Sequence, residues 1–122
     1  MKDDRFEVYK HALLSEDFTK IWKSVDKKYN ASHNFKIVDS KDDKTLCIIH
    51  FQEGPTKEVG INGIFMPDLL GICLSMLEDF QSTEFKCREN ALAITAIEEA
   101  ILRLKQRQLE RKKRGVQGTY KK

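Results

Sequence analysis

The sequence predicts an α+β protein, with an N-terminal antiparallel β-sheet followed by a C-terminal two-helix hairpin whose second helix is long and basic. In the first half, short apolar segments flank a charged, turn-rich loop, which is typical of a β-hairpin. In the second half, apolar residues recur at the spacing of three and four that is typical of helices. A chain of 122 residues suits one domain, so we expect residues 1–64 and 65–122 to be two regions of one compact unit.

The β-hairpin is predicted from residues 35–38 and 45–51, which should pair antiparallel across the charged loop between them. The preceding residues 1–33 stay unassigned, because two of their segments give conflicting signals. Residues 18–25 carry apolar side chains at helical spacing, whereas residues 5–9 alternate like a strand.

The β-region should end near residue 64. Gly54-Pro55 interrupts the second strand of the hairpin, and a short extended stretch over residues 57–61 is expected to follow. This stretch leads to Asn62-Gly63, the commonest dipeptide of tight turns.

The first helix of the hairpin should begin at Pro67, since the first turn of a helix tolerates proline. Its apolar side chains point in nearly every direction around the axis, and such a helix must be buried on all sides. We therefore expect a protein partner, a second copy of this chain, to cover it. The alternative is that the N-terminal sheet covers its second face.

The second helix is predicted over residues 84–114, after a short connection at residues 81–83. Its apolar stripe stops at Leu104, so the last turns lack a core within their own hairpin and must project or meet another subunit. Gly115 should end the helix as the glycine that follows the C-cap.

Several classes of protein are disfavoured by the composition. No apolar run approaches the length of about 20 residues that spans a membrane, and the N-terminal residues do not resemble a signal peptide. Three cysteines without a CxxC motif favour neither a disulfide framework nor a zinc site, so a reducing cytoplasm is expected. Because HExxH, GxSxG and Walker motifs are missing from the sequence, we expect no enzyme, no catalytic residues, no metal and no cofactor.

Positive charge is concentrated at the C-terminal end of the chain. The formal net charge is only +3, yet residues 103–122 contain nine Lys or Arg against one acid, Glu110. Four of these residues are arginines at spacings of 4, 4 and 3, which places them on one helix face. They are Arg103, Arg107, Arg111 and Arg114. Arginine binds phosphate with a planar, two-pronged fork that lysine lacks, so the row favours phosphate or pyrophosphate recognition.

Two other interpretations of this helix end remain open. The arginines could form a solvated, salt-bridged face, although only Glu99 and Glu110 are near enough in sequence to pair with them. The basic end could instead bind the phosphate backbone of a nucleic acid, as in a small basic nucleic-acid-binding protein. Gly115 and Gly118 would let backbone amides approach a ligand, and Thr119 would add a hydroxyl.

Six short motifs occur in the order in which a known family carries them. They are FQEGP at residues 51–55, EVGINGIF at 58–65, DLL at 68–70, FQ at 80–81, ENALA at 89–93 and RKKRGVQGT at 111–119. In these motifs the chain resembles the phage Thoeris anti-defence family of cyclic ADP-ribose signal sponges. That family shares its helical hairpin with an anti-CBASS cyclic-dinucleotide sponge.

The resemblance implies a non-enzymatic protein that works in the cytoplasm of the infected bacterial host. Such a protein sequesters the glycocyclic ADP-ribose made by TIR-domain proteins, so that the Thoeris effector is not activated. The pocket is expected between subunits, and dimers are expected to assemble into hexamers. Some members of the family also hold cyclic di- or trinucleotides of CBASS at a second site. Neither a membrane nor a nucleic-acid polymer is an expected partner.

The resemblance also assigns roles to residues of this chain. Phe80 would stack on the adenine, Asn90 would make polar contacts, and Arg107 and Arg111 would hold the pyrophosphate. The tail at residues 115–119 would close over the ligand. The full set of expected ligand contacts is Phe80, Asn90, Arg103, Arg107, Arg111, Arg114, Gly115, Val116, Gln117, Gly118 and Thr119.

Two further residues and two departures complete the comparison with the family pattern. Asn62 and Phe65 are expected in the pocket wall or at a subunit contact. Gln117 stands where an acid is expected, and Tyr120 stands where a histidine is expected. An amide at residue 117 can still accept a hydrogen bond from a ribose hydroxyl, but without the added strength of a charge.

Overall fold

The computed structural model describes residues 3–122 and has an N-terminal antiparallel sheet followed by helices, so the predicted α+β fold class is confirmed. Two compact units divide the chain, Met1–Ile64 and Phe65–Lys122. The first unit contains the sheet and the second contains the helical hairpin. No helix of residues 3–122 is long and apolar enough to cross a membrane.

The sheet has four strands in the order in which they occur along the chain, and each pair of neighbours is antiparallel. The strands are β1 (Phe6–Tyr9), β2 (Thr19–Ser24), β3 (Asn34–Asp39) and β4 (Thr45–His50). The pair β3–β4 is the hairpin that the sequence predicts. Val38 of β3 is the one fully buried hydrophobic side chain in the described part of the chain.

Strand β2 occupies the segment whose apolar residues follow helical spacing. Trp22 pairs with Val8 of β1 on one side and with Lys36 of β3 on the other, so β2 is hydrogen-bonded along both edges. Ile21 and Trp22 are successive residues of this strand, so their side chains lie on opposite faces of the sheet. The tertiary pairing with β1 and β3, rather than local spacing, decides the conformation here.

The chain between β4 and residue 64 differs from the extended stretch expected there. Residues Thr56–Val59 form the one-turn helix α1, in which the carbonyl of Pro55 accepts hydrogen bonds from the amides of Glu58 and Val59. Gly60, with φ of 73°, ends this turn.

Asn62-Gly63 forms a bend instead of a hairpin turn, and Ile64 then makes an isolated parallel bridge with Phe51, the residue after β4. The amide of Ile64 donates to the carbonyl of His50, and the amide of Gln52 donates to the carbonyl of Ile64. A Cβ atom on Gly63 would lie 2.5 Å from the carbonyl carbon of Phe51. Gly63 is therefore required for this close backbone approach rather than for a turn.

The second unit consists of α2 (Met66–Gln81) and α3 (Arg88–Lys113). At the start of α2 the carboxylate of Asp68 accepts a hydrogen bond from the amide of Phe65 at 2.9 Å. The start of α3 lies four residues after the expected position, because the side chain of Gln81 holds Cys87 in an extended conformation. Its Oε1 atom accepts from the Cys87 amide at 2.9 Å, and its Nε2 atom donates to the Cys87 carbonyl at 3.1 Å.

The two faces of α2 differ in exposure. Leu70, Leu74 and Leu77 are half-buried. Ile72 and Met76 lie on a second face and are 64% and 60% exposed. Apolar side chains therefore lie on both a half-buried and an exposed face of α2. The expected cover by a second copy of this chain stays a prediction.

Candidate functional site

The row of arginines lies on the last turns of α3. Half-buried apolar residues occupy the inner face of this helix as far as Leu104, and Arg107 and Arg111 follow Leu104 at spacings of three and seven. Arg107 and Arg111 therefore lie on the same face of α3 as the apolar residues, beyond the last of them. Helix α3 has 26 residues and α2 has 16, lengths of about 39 Å and 24 Å. The extra length of α3 carries the arginines.

The two outer arginines form ion pairs within their own helix. Arg103 donates from Nη2 to Glu99 at 3.4 Å, and Arg114 donates from Nε to Glu110 at 2.7 Å. Both pairs join residues four apart, and they involve the two acids that the sequence offered as partners. Exposed pairs of this type are worth about 0.3 to 0.5 kcal/mol, so an anionic ligand could displace either carboxylate.

The two inner arginines differ from each other. Arg111 is half-buried, and its Nη2 atom donates to the carbonyls of Val116 and Thr119 at 3.2 and 3.1 Å. Arg107 is exposed, and over residues 3–122 its guanidinium has no hydrogen bond or ion pair. Among the four arginines, Arg107 is therefore the one whose guanidinium N–H groups are all available to an anion.

The tail after α3 folds back on the helix end. Gly115, with φ of 75°, allows the amides of Gly115 and Val116 to donate to the carbonyls of Lys112 and Arg111, both at 3.0 Å. This is the Schellman pattern of helix termination. Because both amides are bonded to the helix, they are not free donors for a ligand in this conformation.

A tight turn follows over residues 116–119. The amide of Thr119 donates to the carbonyl of Val116 at 3.1 Å, and its hydroxyl donates to the same carbonyl at 2.5 Å. Gly118 has φ of 74°, which fits the third position of a type II turn. The turn places Gln117 at its tip, where the side chain is half-buried.

Phe80 and Asn90 lie at the other end of the hairpin. Phe80 is in the last turn of α2 and is 40% exposed, and Asn90 is in the first turn of α3 and is half-buried. The 17 positions from Asn90 to Arg107 correspond to about 25 Å along α3. Within one chain, the predicted site residues therefore form two separate groups. Phe80 and Asn90 lie at one end of α3, and the arginines and the tail lie at the other.

Comparison with known proteins places the hairpin in a family. Residues 43–108 match the model of the Acb2/Tad1 hairpin domain. A protein of Bacillus phage SBSphiJ7 with the name "Thoeris anti-defense 1" is 45% identical over 95 residues, which are 77% of this chain and 67% of that relative. The chain belongs to the Acb2/Tad1 hairpin family. The family resemblance of the six sequence motifs is thereby confirmed.

Asn62, which lies within the residues that match the Acb2/Tad1 hairpin domain, stabilises the loop that contains α1 through hydrogen bonds. Its side-chain oxygen accepts from the amide of Glu53 and its side-chain nitrogen donates to the carbonyl of Glu53, both at 2.8 Å. Its own amide donates to Oε1 of Gln52. These bonds join the two ends of the segment that contains α1, so both polar atoms of the Asn62 side chain are hydrogen-bonded inside its own unit.

Gln52 is a residue to which the sequence analysis gave no separate role. Its Nε2 atom donates to the carbonyls of Gly54 and Gly60 at 3.1 and 2.7 Å, and its Oε1 atom holds Asn62. The position of Gln52 shortly before Gly54-Pro55, which ends the strand, is the sequence signal that could have indicated this stabilising role. Phe65, expected in the pocket wall or at a subunit contact, directly precedes α2 and is 42% exposed.

Proposed function

We propose that this protein is a Thoeris anti-defence protein that binds a glycocyclic ADP-ribose and holds it without cleaving it. The signal, made by TIR-domain proteins in the cytoplasm of the infected bacterium, would then not reach the Thoeris effector. The observation that carries the proposal is the free guanidinium of Arg107 within a row of four arginines, in a chain of the Acb2/Tad1 hairpin family.

The chemistry of the row suits a pyrophosphate. Two neighbouring phosphates carry two negative charges, and a guanidinium pairs with phosphate oxygens through parallel hydrogen bonds. Arg107 offers an unused fork, while Arg103 and Arg114 can exchange exposed carboxylates for phosphate oxygens. The exposed ring of Phe80 would stack on the adenine, which is worth about 1 to 3 kcal/mol per base.

A complete pocket requires more than one chain. The distance of about 25 Å between Asn90 and Arg107 is longer than one nucleotide, so the two groups of one chain cannot enclose the same ligand. If two copies bring opposite helix ends together, Phe80 and Asn90 of one copy would meet the arginines of the other. The exposed apolar face of α2 supports such an assembly, as a dimer and then a hexamer.

Sequestration works by stoichiometry, so binding must be tight. A dissociation constant near 1 nM corresponds to about 12 kcal/mol. Isothermal titration with glycocyclic ADP-ribose isomers at two salt concentrations should therefore give saturation near one ligand per protomer, with a modest effect of salt. Linear ADP-ribose is the matched control, because it has the same base and phosphates without the ring closure.

The rival functions predict different results in the same experiment. A nucleic-acid-binding protein would show steep salt dependence and no preference for the cyclic nucleotide. An enzyme would return cleaved ligand after heat denaturation of the complex, whereas the proposed sponge returns it intact. The absence of heat with every isomer would overturn the proposal. Titration of cyclic di- and trinucleotides into protein already saturated with glycocyclic ADP-ribose tests for a second site, because a ligand of a separate site still binds there.

A further inference from the structure

The four arginines of α3 differ in what occupies their guanidiniums, and Arg111 is the one engaged with backbone. Its Nη2 atom donates to the carbonyls of Val116 and Thr119, which are five and eight residues further along the chain. The carbonyl of Val116 also accepts the amide and the hydroxyl of Thr119. The side chain thus contacts the tail at both ends of its turn.

The position of these bonds on the guanidinium limits what else Arg111 can do. A guanidinium has five N–H groups, and its two-pronged edges are the Nη1/Nη2 pair and the Nε/Nη2 pair. Nη2 belongs to both edges, and its two hydrogens are directed to the two carbonyls. While the tail is docked, Arg111 keeps the two N–H groups of Nη1 and the one of Nε, but neither of its two-pronged edges is complete for phosphate.

We propose that Arg111 is a positioning residue that holds residues 116–119 against the end of α3, while Arg107 supplies the fork for the phosphates. The sequence alone treats these two arginines as equivalent, since they are four residues apart on one face. Holding of the tail does not depend on the identity of the ligand. The different roles of Arg107 and Arg111 in ligand binding rest on the proposed function.

The side chain of Arg111 joins both ends of the turn in the tail to the end of α3. The Schellman bonds end at Val116, and the turn over residues 116–119 is closed only upon itself by the two Thr119 bonds to Val116. The bond from Nη2 to the Thr119 carbonyl joins the far end of this turn to a side chain of the helix. Loss of this bond should therefore loosen the far end of the turn, and with it the amide of Thr119.

The first test follows the tail in the ligand-free, full-length protein by hydrogen–deuterium exchange of peptides that cover residues 112–122. Arg111→Met keeps an unbranched stem and removes every donor. We expect it to accelerate exchange in the tail severalfold, while the matched variant Arg107→Met leaves this exchange unchanged. Gly118→Val, which forces a β-branched residue into a positive φ, is the reference for a disrupted turn. Equal exchange in Arg111→Met and the wild type would overturn the proposal.

The second test is a double-mutant cycle with glycocyclic ADP-ribose as the probe. If Arg111 acts through the tail, the loss of affinity in Arg111→Met with Gly118→Val should equal the larger single loss. The losses from Arg107→Met and Gly118→Val should instead multiply. Multiplied losses for Arg111→Met and Gly118→Val would show a direct phosphate contact and overturn the assignment. If the wild type does not bind the probe, the proposed function fails, and the exchange experiment alone decides whether Arg111 positions the tail.

Discussion

Replacement of Arg107 by alanine should weaken binding of glycocyclic ADP-ribose by roughly 10²- to 10⁴-fold. In the part of the chain that the structure describes, the Arg107 guanidinium has no partner, so its removal leaves no donor or acceptor unpaired. Alanine also has the highest helix propensity, so α3 should be retained. The loss is then that of two charge-assisted hydrogen bonds, about 1.5 to 3 kcal/mol each and about 3 to 6 kcal/mol together.

Isothermal titration of the variant measures this loss, and Tm of the ligand-free protein checks that folding is unchanged. The matched control is Lys105→Ala, which removes one positive charge from the same helix two residues away, on a different face. A general electrostatic attraction would respond equally to both substitutions. Wild-type affinity in Arg107→Ala would refute the reasoning and remove the phosphate role from this residue.

Three further predictions concern assembly, packing and titration. Met76→Glu should shift the assembly to smaller species in sedimentation velocity, because it places a charge on the exposed apolar face of α2. Gly63→Ala should lower the free energy of unfolding in denaturant by about 1 to 3 kcal/mol, because its Cβ would overlap backbone, whereas Gly71→Ala meets nothing within 4 Å and should not destabilise. Hydrogen bonds from Arg5 lower the pKa of Asp3 from 3.8 to about 2, with a smaller contribution from a nearby lysine, so the carboxyl carbon of Asp3 should titrate near pH 2. Arg5→Gln should return that pKa toward its ordinary value.

Each of these predictions has its own control or contrary outcome. Glu78→Gln changes charge on the same helix outside the apolar face and should leave the assembly intact, and an intact assembly in Met76→Glu would contradict an interface there. Equal stability of the two glycine variants would show that the backbone around residue 63 can relax. Because the native pKa of Asp3 is lowered, its contact contributes to stability above pH 3.8 and is lost as the pH falls through about 2. Titration of Asp3 near pH 4 in the wild type would contradict the contact.

The parts of the fold that could be predicted are those with local signals. The pair β3–β4 is marked by apolar segments on both sides of a charged loop, and α2 is marked by Pro67 and its apolar spacing. Strand β1 lies where residues 5–9 alternate like a strand, whereas β2 could not be predicted, because the helical spacing of its apolar residues competes with pairing partners that are distant in sequence. The start of α3 depends on the reach of the Gln81 side chain to Cys87, which no local pattern indicates.

The features of the candidate site likewise fall into those that the sequence indicates and those that depend on tertiary contacts. The placement of four arginines on one face of α3 follows from the sequence, because helical spacing sets this face whatever surrounds the helix. The sequence also contained the six motifs that identify the family. The difference between Arg111, which is hydrogen-bonded to the tail, and Arg107, which is free, could not be predicted, because it depends on where the chain returns after Gly115. The separation of about 25 Å between Asn90 and Arg107 likewise follows from the unbroken helix between them, and it is the reason that one chain cannot enclose the ligand alone.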